Sequence, residues 1–374
     1  MGEIDSLDRP RNADRRSAIA WFVTPHGLGH AARASAIIAA CARRRPTLRH
    51  HLFTTVAPSF FTDALPGIDL VIHAETCDVG MVQRTPFVED VAATVEAIER
   101  LPLEPGSELD RLVDATRATG CRVVVADIAP LGLVVADRLG LPSVLVANFT
   151  WDWVYRSYDD DRMSAIADAL TPIFRSATLT IATEPCCPDL SASRRVPPIS
   201  RAARRGRSEV RDEIGIADDQ PVVLASLSGL DRMELDRRDL PLPPDVVAVV
   251  PHCRADIEAH DGLIRTPAVA GPFHPDLVAA SDLVIGKLGY STVAEVWHAG
   301  AALAYLTRPR FPESPVLEAF VSEQIASAAL AEDWLDNPRT AAIVSQLLEM
   351  RRRVGARPNG ADEAARLIVE LAVG

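Results

Sequence analysis

A glycine loop opens the chemistry of this chain, Thr24-Pro25-His26-Gly27-Leu28-Gly29-His30, between a β-rich run and a helical stretch. Gly29 lets backbone approach a ligand, and the start of a helix favours an anion or developing negative charge. His30 at that start is a candidate general base. A dinucleotide fingerprint would need glycine near position 32, which is alanine, so a nicotinamide reading is poor. Asp127 closes Val-Val-Val-Ala-Asp. There it could orient His30 and stabilise its protonated form, or equally cap the next helix.

A second constellation runs from Ser281 to Glu295. A strand, a glycine-bearing loop and a helix start follow one another, so free N–H groups are available to phosphate. Lys287 adds a cation and is the single lysine among 39 basic residues. Ser291 and Glu295 stand four apart on one helix face, where Glu295 could accept from a ribose diol. Thr292-x-x-Glu295 is also a capping box, which would explain Glu295 but neither Lys287 nor Gly289. A third stretch, Asn148 to Tyr158, carries Trp151, Trp153, Tyr155 and Tyr158. These could stack on a sugar or an apolar acceptor, or simply pack. Asp159-Asp160-Asp161 reads as a solvated acidic loop rather than a metal motif.

The elements that must position these groups alternate. Strands are expected at Ala18–Val23, His50–Val56, Leu70–His73, Arg122–Ala126 and Ser143–Ala147, with helices at His30–Arg44, Phe87–Leu101, Glu108–Thr119 and Ala129–Leu139. The Arg-, Ser- and Pro-rich stretch 191–211 reads as a linker. Beyond it strands are expected at Pro221–Leu227, Val246–Val250, Ala268–Ala270, Leu283–Ile285 and Ala302–Leu306, then helices at Ser322–Glu332, Thr340–Arg353 and Asp362–Val373. The fold class is therefore α/β: two doubly wound parallel-sheet domains, 18–190 and 212–374, facing a cleft, after a tail at 1–17.

The chain has 374 residues, enough for two hydrophobic cores. A net charge of −12 disfavours a nucleic-acid partner. No apolar run is long enough to span a bilayer, and peripheral membrane contact stays open. Six cysteines without a Cys-x-x-Cys pair fit a reducing cytoplasm and no zinc site.

These motifs resemble those of the two-domain GT-B glycosyltransferases. The nucleotide-sugar pattern His-x-Gly-Trp-Asn-Ser-x-x-Glu falls in register on 287–295, with Lys287 for His, Tyr290 for Trp, and Ser291 and Thr292 for Asn-Ser. Gly289 and Glu295 are retained. The resemblance implies Glu295 on the ribose, Lys287, Ser291 and Thr292 on phosphate, and His30 as base paired with Asp127. It also implies that the Ser228-Gly229 loop touches the diphosphate. Glu313-Ser314 stands for the family's Asp-Gln pair at the donor sugar, so the Gln is lost. Arg33 stands where many relatives have Pro; it could reach an anionic acceptor, and reads by default as a surface residue.

A closer resemblance, along nearly the whole chain, is to the glycosyltransferase-like N-terminal half of plant-type L-arabinokinases. It rests on Gly-x-Gly-His-Ala-x-Arg, Asp78-x-Gly-x-Val-Gln83, Asn148-Phe-Thr-Trp-Asp152 and Gly286-Lys-x-Gly-Tyr290. The kinase's Gly-Leu-Ser-Ser-Ser loop is absent.

The resemblance implies an inverting, metal-independent transfer from a nucleoside-diphosphate sugar, UDP-linked, to an acceptor hydroxyl or amine. That sugar nucleotide would be a co-substrate and no cofactor is expected. Two alternatives stand beside it: a sugar-nucleotide epimerase, and a non-catalytic sugar-nucleotide-binding partner. The sequence leaves the sugar, the acceptor and the oligomeric state open.

Overall fold

A computed structural model describes residues 17–85, 87–227, 233, 235–252, 256–267, 271–350 and 357–374. The expected tail falls almost wholly outside them, as do Ser228 and Gly229 and the expected strand Ala268–Ala270.

The first domain holds a seven-stranded sheet of Ala18–Val23 (β1), Arg49–Thr54 (β2), Leu70–Ala74 (β3), Cys121–Asp127 (β6), Ser143–Ala147 (β7), Leu179–Thr183 (β8) and Arg194–Val196 (β9). A separate antiparallel pair, Gln83–Thr85 (β4) and Val88–Glu89 (β5), lies between β3 and β6 in the chain. The order is β3-β2-β1-β6-β7-β8-β9, with every neighbour parallel. The second sheet has Val222–Ser226 (β10), Val247–His252 (β11), Glu258–His260 (β12), Leu263–Pro267 (β13), Leu283–Lys287 (β14), Ala302–Leu306 (β15) and Ser327–Ala329 (β16). Its order is β12-β13-β11-β10-β14-β15-β16, with β12 alone antiparallel. The expected two doubly wound domains are present.

Both sheets are covered on two faces, so their central strands read as apolar runs; all six residues of β1 are buried. Strand order reverses beside β1, whose neighbours are β2 and β6, and beside β10, whose neighbours are β11 and β14. Crevices open at the carboxyl ends of strands at such points. The loop Thr24–Gly27 and Asp127 occupy one crevice, and Lys287–Gly289 the other.

Several expectations change. The stretch 191–211 is not wholly a linker: Arg194–Val196 pairs with β8 as an edge strand, its two arginines exposed, and Arg207–Glu213 is helical. Helical periodicity at 87–101 gives a helix only at Val91–Ile98, started by Asp90, whose carboxylate accepts from the Ala93 N–H at 3.1 Å. Ser322–Glu332 is not one helix. A helix runs over Glu313–Gln324, and Ser327–Ala329 pairs with β15, so sheet pairing overrides alanine's helical preference. The acidic run begins a helix instead of a loop: Asp160 caps Asp161–Arg175 through the N–H groups of Arg162 and Met163.

The last helix, Gly360–Val373, falls within the expected second domain, 212–374, by sequence. It packs on the first: Ala361, Ala364, Ala365 and Ile368 share a core with Ile19, Ile37 and Val123. Gly360 lies where a Cβ would fall 2.1 Å from the Pro197 carbonyl, so only glycine admits this approach.

Candidate active site

A cavity of about 620 Å³ lies between the two sheets' carboxyl ends. Its lining takes Gly29, His30 and Arg33 from the first helix, Asn148 and Phe149 from the end of β7, and Lys287, Gly289, Ser291, Thr292 and Glu295 from the end of β14 and the helix Tyr290–Ala299. Arg308 and Glu313 complete one wall. Every candidate site residue among those described lines this cavity except Asp127, which lies behind His30.

His30 is on the first turn of Leu28–Arg44, which starts at Gly27 with φ 73°, a left-handed value that glycine adopts without steric cost. His30 Nδ1 meets Asp127 Oδ1 at 2.9 Å, and His30 Nε2 has no partner among the described residues. Asp127 does not cap the following helix, whose N-cap is Ala129. Instead the chain turns at Ile128, at φ 57°, a costly conformation for a β-branched residue. Both crevice-facing groups thus hang from sharp turns at strand ends.

Arg33 is no surface residue: it is 2% exposed. It donates from Nε to Asp127 Oδ2 at 2.8 Å, from Nη2 to Asp127 Oδ1 at 2.6 Å, and from Nη1 to Asn148 Oδ1 at 2.6 Å. Burial alone would push the Asp127 carboxyl up; Arg33 and His30 outweigh it and hold the group below its ordinary value. Asn148 in turn donates from Nδ2 to Glu313 Oε1 at 2.6 Å, and Arg308 Nη2 donates to Glu313 Oε2 at 3.2 Å. One bonded series therefore runs from His30 across the cleft to Arg308. Arg33, Asn148 and Arg308 were not singled out for these roles. Their only signal is a charged or amide side chain at the edge of a glycine loop or strand end.

In the second domain Glu295 accepts from Arg201 Nε and Nη2 at 3.1 and 2.9 Å and meets His274 Nδ1 at 2.9 Å. Burial opposes its ionisation, but Arg201 and His274 prevail and hold the carboxyl at about 2. The capping-box reading fails, because the N-cap is Gly289 and no side chain caps this helix. The N–H groups at the start of Tyr290–Ala299 are therefore left for a ligand. Lys287 ends β14 without a bonded partner among the described residues. Burial, then the charge of Arg308, brings its ammonium down to about 8. A Cβ at Gly29 would lie 3.2 Å from Ser291 Oγ, so glycine lets the two helix starts approach across the cleft.

The aromatic stretch mostly packs. Trp151, Tyr155 and Tyr158 are buried in a core beside the cavity. Trp151 Nε1 donates to Asp78 Oδ2 at 2.7 Å. Phe149 and Phe311 are the aromatic side chains of that core that reach the cavity wall. No group of three or more His, Cys, Asp or Glu suited to a metal occurs among the described residues. No helix among them is long and apolar enough to cross a membrane.

Solved structures of similar shape decide the fold. CalG4, the calicheamicin glycosyltransferase, superposes with a TM-score of 0.61 at 18% identity, covering 96% of this chain and 94% of that one. The glycosyltransferase VinC, solved with dTDP, gives 0.60 at 16% identity over 95% and 99%. The fold is that of the GT-B glycosyltransferases. In sequence, the chain is 27% identical to L-arabinokinase of Arabidopsis thaliana over 392 aligned positions, which take up 99% of this chain and 36% of that protein. No family model matches the chain. Within the GT-B frame the cavity lies in the cleft between the two domains, and His30 and Lys287 face it from opposite sides.

Proposed function

We propose that this GT-B chain transfers a sugar from a nucleoside-diphosphate donor, UDP-linked, to an acceptor hydroxyl or amine with inversion. The observation that carries this reading is the His30–Asp127 contact of 2.9 Å, which leaves the other imidazole nitrogen toward the cleft. With Nδ1–H donated to Asp127, His30 Nε2 carries a lone pair. It takes the acceptor's proton as the acceptor oxygen, or nitrogen, forms its bond to the anomeric carbon. The bond from that carbon to the phosphate oxygen breaks on the opposite face, and the nucleoside diphosphate leaves with the electron pair. Lys287 and the amides at the start of Tyr290–Ala299 are arranged to take up the charge that develops there. These groups supply positive charge without a metal ion, which supports a metal-independent reaction. Glu295 is the candidate for the ribose, and would exchange a bond to Arg201 or His274 for the diol.

The test joins binding to turnover. His30→Asn should bind UDP as the unaltered protein does and lose transfer from a UDP-sugar by about 10²–10⁴-fold. Glu295→Ala should lose UDP binding. Full turnover in His30→Asn would remove the base assignment, and equal binding of UDP by Glu295→Ala would remove the ribose assignment. Product with the donor's anomeric configuration retained would remove the inverting route.

A second reading, a sugar-nucleotide-binding partner without turnover, draws on the match to about a third of a larger kinase. UDP binding with no donor consumption across an acceptor panel would favour it.

A further inference from the structure

His26 is the one histidine of the glycine loop to which the transfer reading gives no task. Its Nδ1 accepts the Met81 backbone N–H at 3.2 Å, so the proton of the neutral ring sits on Nε2. That nitrogen has no partner among the described residues, and the side chain lines the cavity. Burial is the main force keeping the ring neutral, and the neighbouring charges of His30, Arg308 and Lys287 add to it. The ring is also fixed in place. It meets Trp151 edge-on at 5.1 Å and lies nearly parallel to Phe311 at 6.3 Å. A Cβ at Gly80, itself at φ 68°, would fall 2.5 Å from the His26 Cβ, so the Asp78–Met81 turn is closed down on the imidazole.

The two histidines thus present opposite faces of the same chemistry. His26 offers a fixed N–H, and His30 offers a lone pair. Their ring centroids are 6.4 Å apart. A pair of adjacent oxygens, about 2.8 Å apart, can bridge such a gap with one hydrogen bond of ordinary length to each ring. Phe149, perpendicular to the His30 ring, and Phe311, nearly parallel to the His26 ring, add apolar surface to the same cavity wall, which suits a flat ring.

We propose that His26 is a specificity residue for the acceptor, donating from Nε2 to an oxygen vicinal to the reacting hydroxyl, so that the site selects ring-borne vicinal diols. The inference rests on the transfer reading for the identity of the reacting hydroxyl. A lone hydroxyl would satisfy His30 and leave His26 Nε2–H desolvated and unpaired, a penalty that acceptors with the second oxygen escape.

The experiment uses the full chain labelled with ¹⁵N at histidine, with 4-nitrocatechol and 4-nitrophenol as probes. In the unaltered protein the His26 ring should appear as the Nε2–H tautomer. Its Nε2 signal should shift with 4-nitrocatechol and stay put with 4-nitrophenol, and the diol should bind about tenfold more tightly or better. His26→Phe should bind the two probes equally, and His26→Gln, which restores an N–H near the same place, should recover part of the preference. Equal binding of both probes by the unaltered protein, binding of neither, or an Nδ1–H tautomer would overturn the proposal. Loss of both probes together in His26→Phe, with an unchanged melting temperature, would also overturn it. Transfer from a UDP-sugar is followed in parallel: its absence counts against the transfer reading alone, since the binding preference is measured without turnover.

Discussion

Arg33 takes both oxygens of Asp127, and one of them, Oδ1, is the oxygen that His30 Nδ1 also meets. The aspartate therefore divides its charge between a permanent cation and the imidazole. Arg33 Nη2 stands 3.1 Å from the same His30 nitrogen. The guanidinium and the imidazole thus share one carboxylate, and Arg33 fixes the oxygen against which His30 is oriented.

Removing Asp127 should do two separable things. Asp127→Asn leaves Arg33 buried without its counter-charge, a loss of about 3–5 kcal/mol in stability. It also releases the tautomer of His30, lowering turnover on the order of 10²-fold or more. Denaturant unfolding and kcat measured on the folded fraction separate the two. Arg33→Lys keeps the charge but not the fork, and should cost less stability than Asp127→Asn.

Nucleotide affinity should depend on pH through Lys287. Its ammonium loses its proton near pH 8, so the cation is present below that pH and absent above it. UDP binding, followed by calorimetry, should weaken above about pH 8 and be accompanied there by proton uptake. Lys287→Met should bind weakly at every pH, with the upper limb gone.

Gly29→Ala separates folding from function. The position is the second residue of the helix Leu28–Arg44, where alanine is favoured over glycine by up to about 1 kcal/mol. The added methyl meets Ser291 Oγ at 3.2 Å across the cleft. The melting temperature should hold or rise while UDP affinity falls several-fold, and Gly29→Val should show a larger loss.

Asp78 should give the protein an unusual acid response. Burial pushes its carboxyl up to about 6, against the opposing hydrogen bonds from Thr24 and Trp151. The folded state then binds more protons than the unfolded state between the two values, so stability falls as pH rises through that window, by about 3 kcal/mol in all. In Asp78→Asn, melting curves from pH 4 to pH 7 should lose that slope.

Much of the fold was legible because parallel strands covered on both faces are written as apolar runs. Ala18–Val23 and Ser143–Ala147 fall where composition puts them. Misplaced elements were those set by partners distant in sequence. Val196 becomes a strand through β8, Ser327–Ala329 through β15, and the last helix finds its core in residues as far back as Ile19 and Ile37. At the site, the glycine loops marked His30 and Lys287 because a turn at a strand end has a local signature. Arg33 had none. One turn along a helix, its difference from a solvated arginine lies in Asp127 and Asn148, which no local pattern ties to it.

The final helix gives the molecule an architecture of bracket and insert. Because Gly360–Val373 lies in the first domain's core, the chain leaves that body once near Val196 and re-enters it near Gly360. The second sheet is hung from two tethers instead of one. Two attachment points, with the Asn148–Glu313 bond across the cleft, hold the second lobe against the first in a way that a single linker would not. A cut anywhere between the lobes would sever one suspension point while leaving both cores whole, and would loosen the aim of the cleft before it loosened the fold.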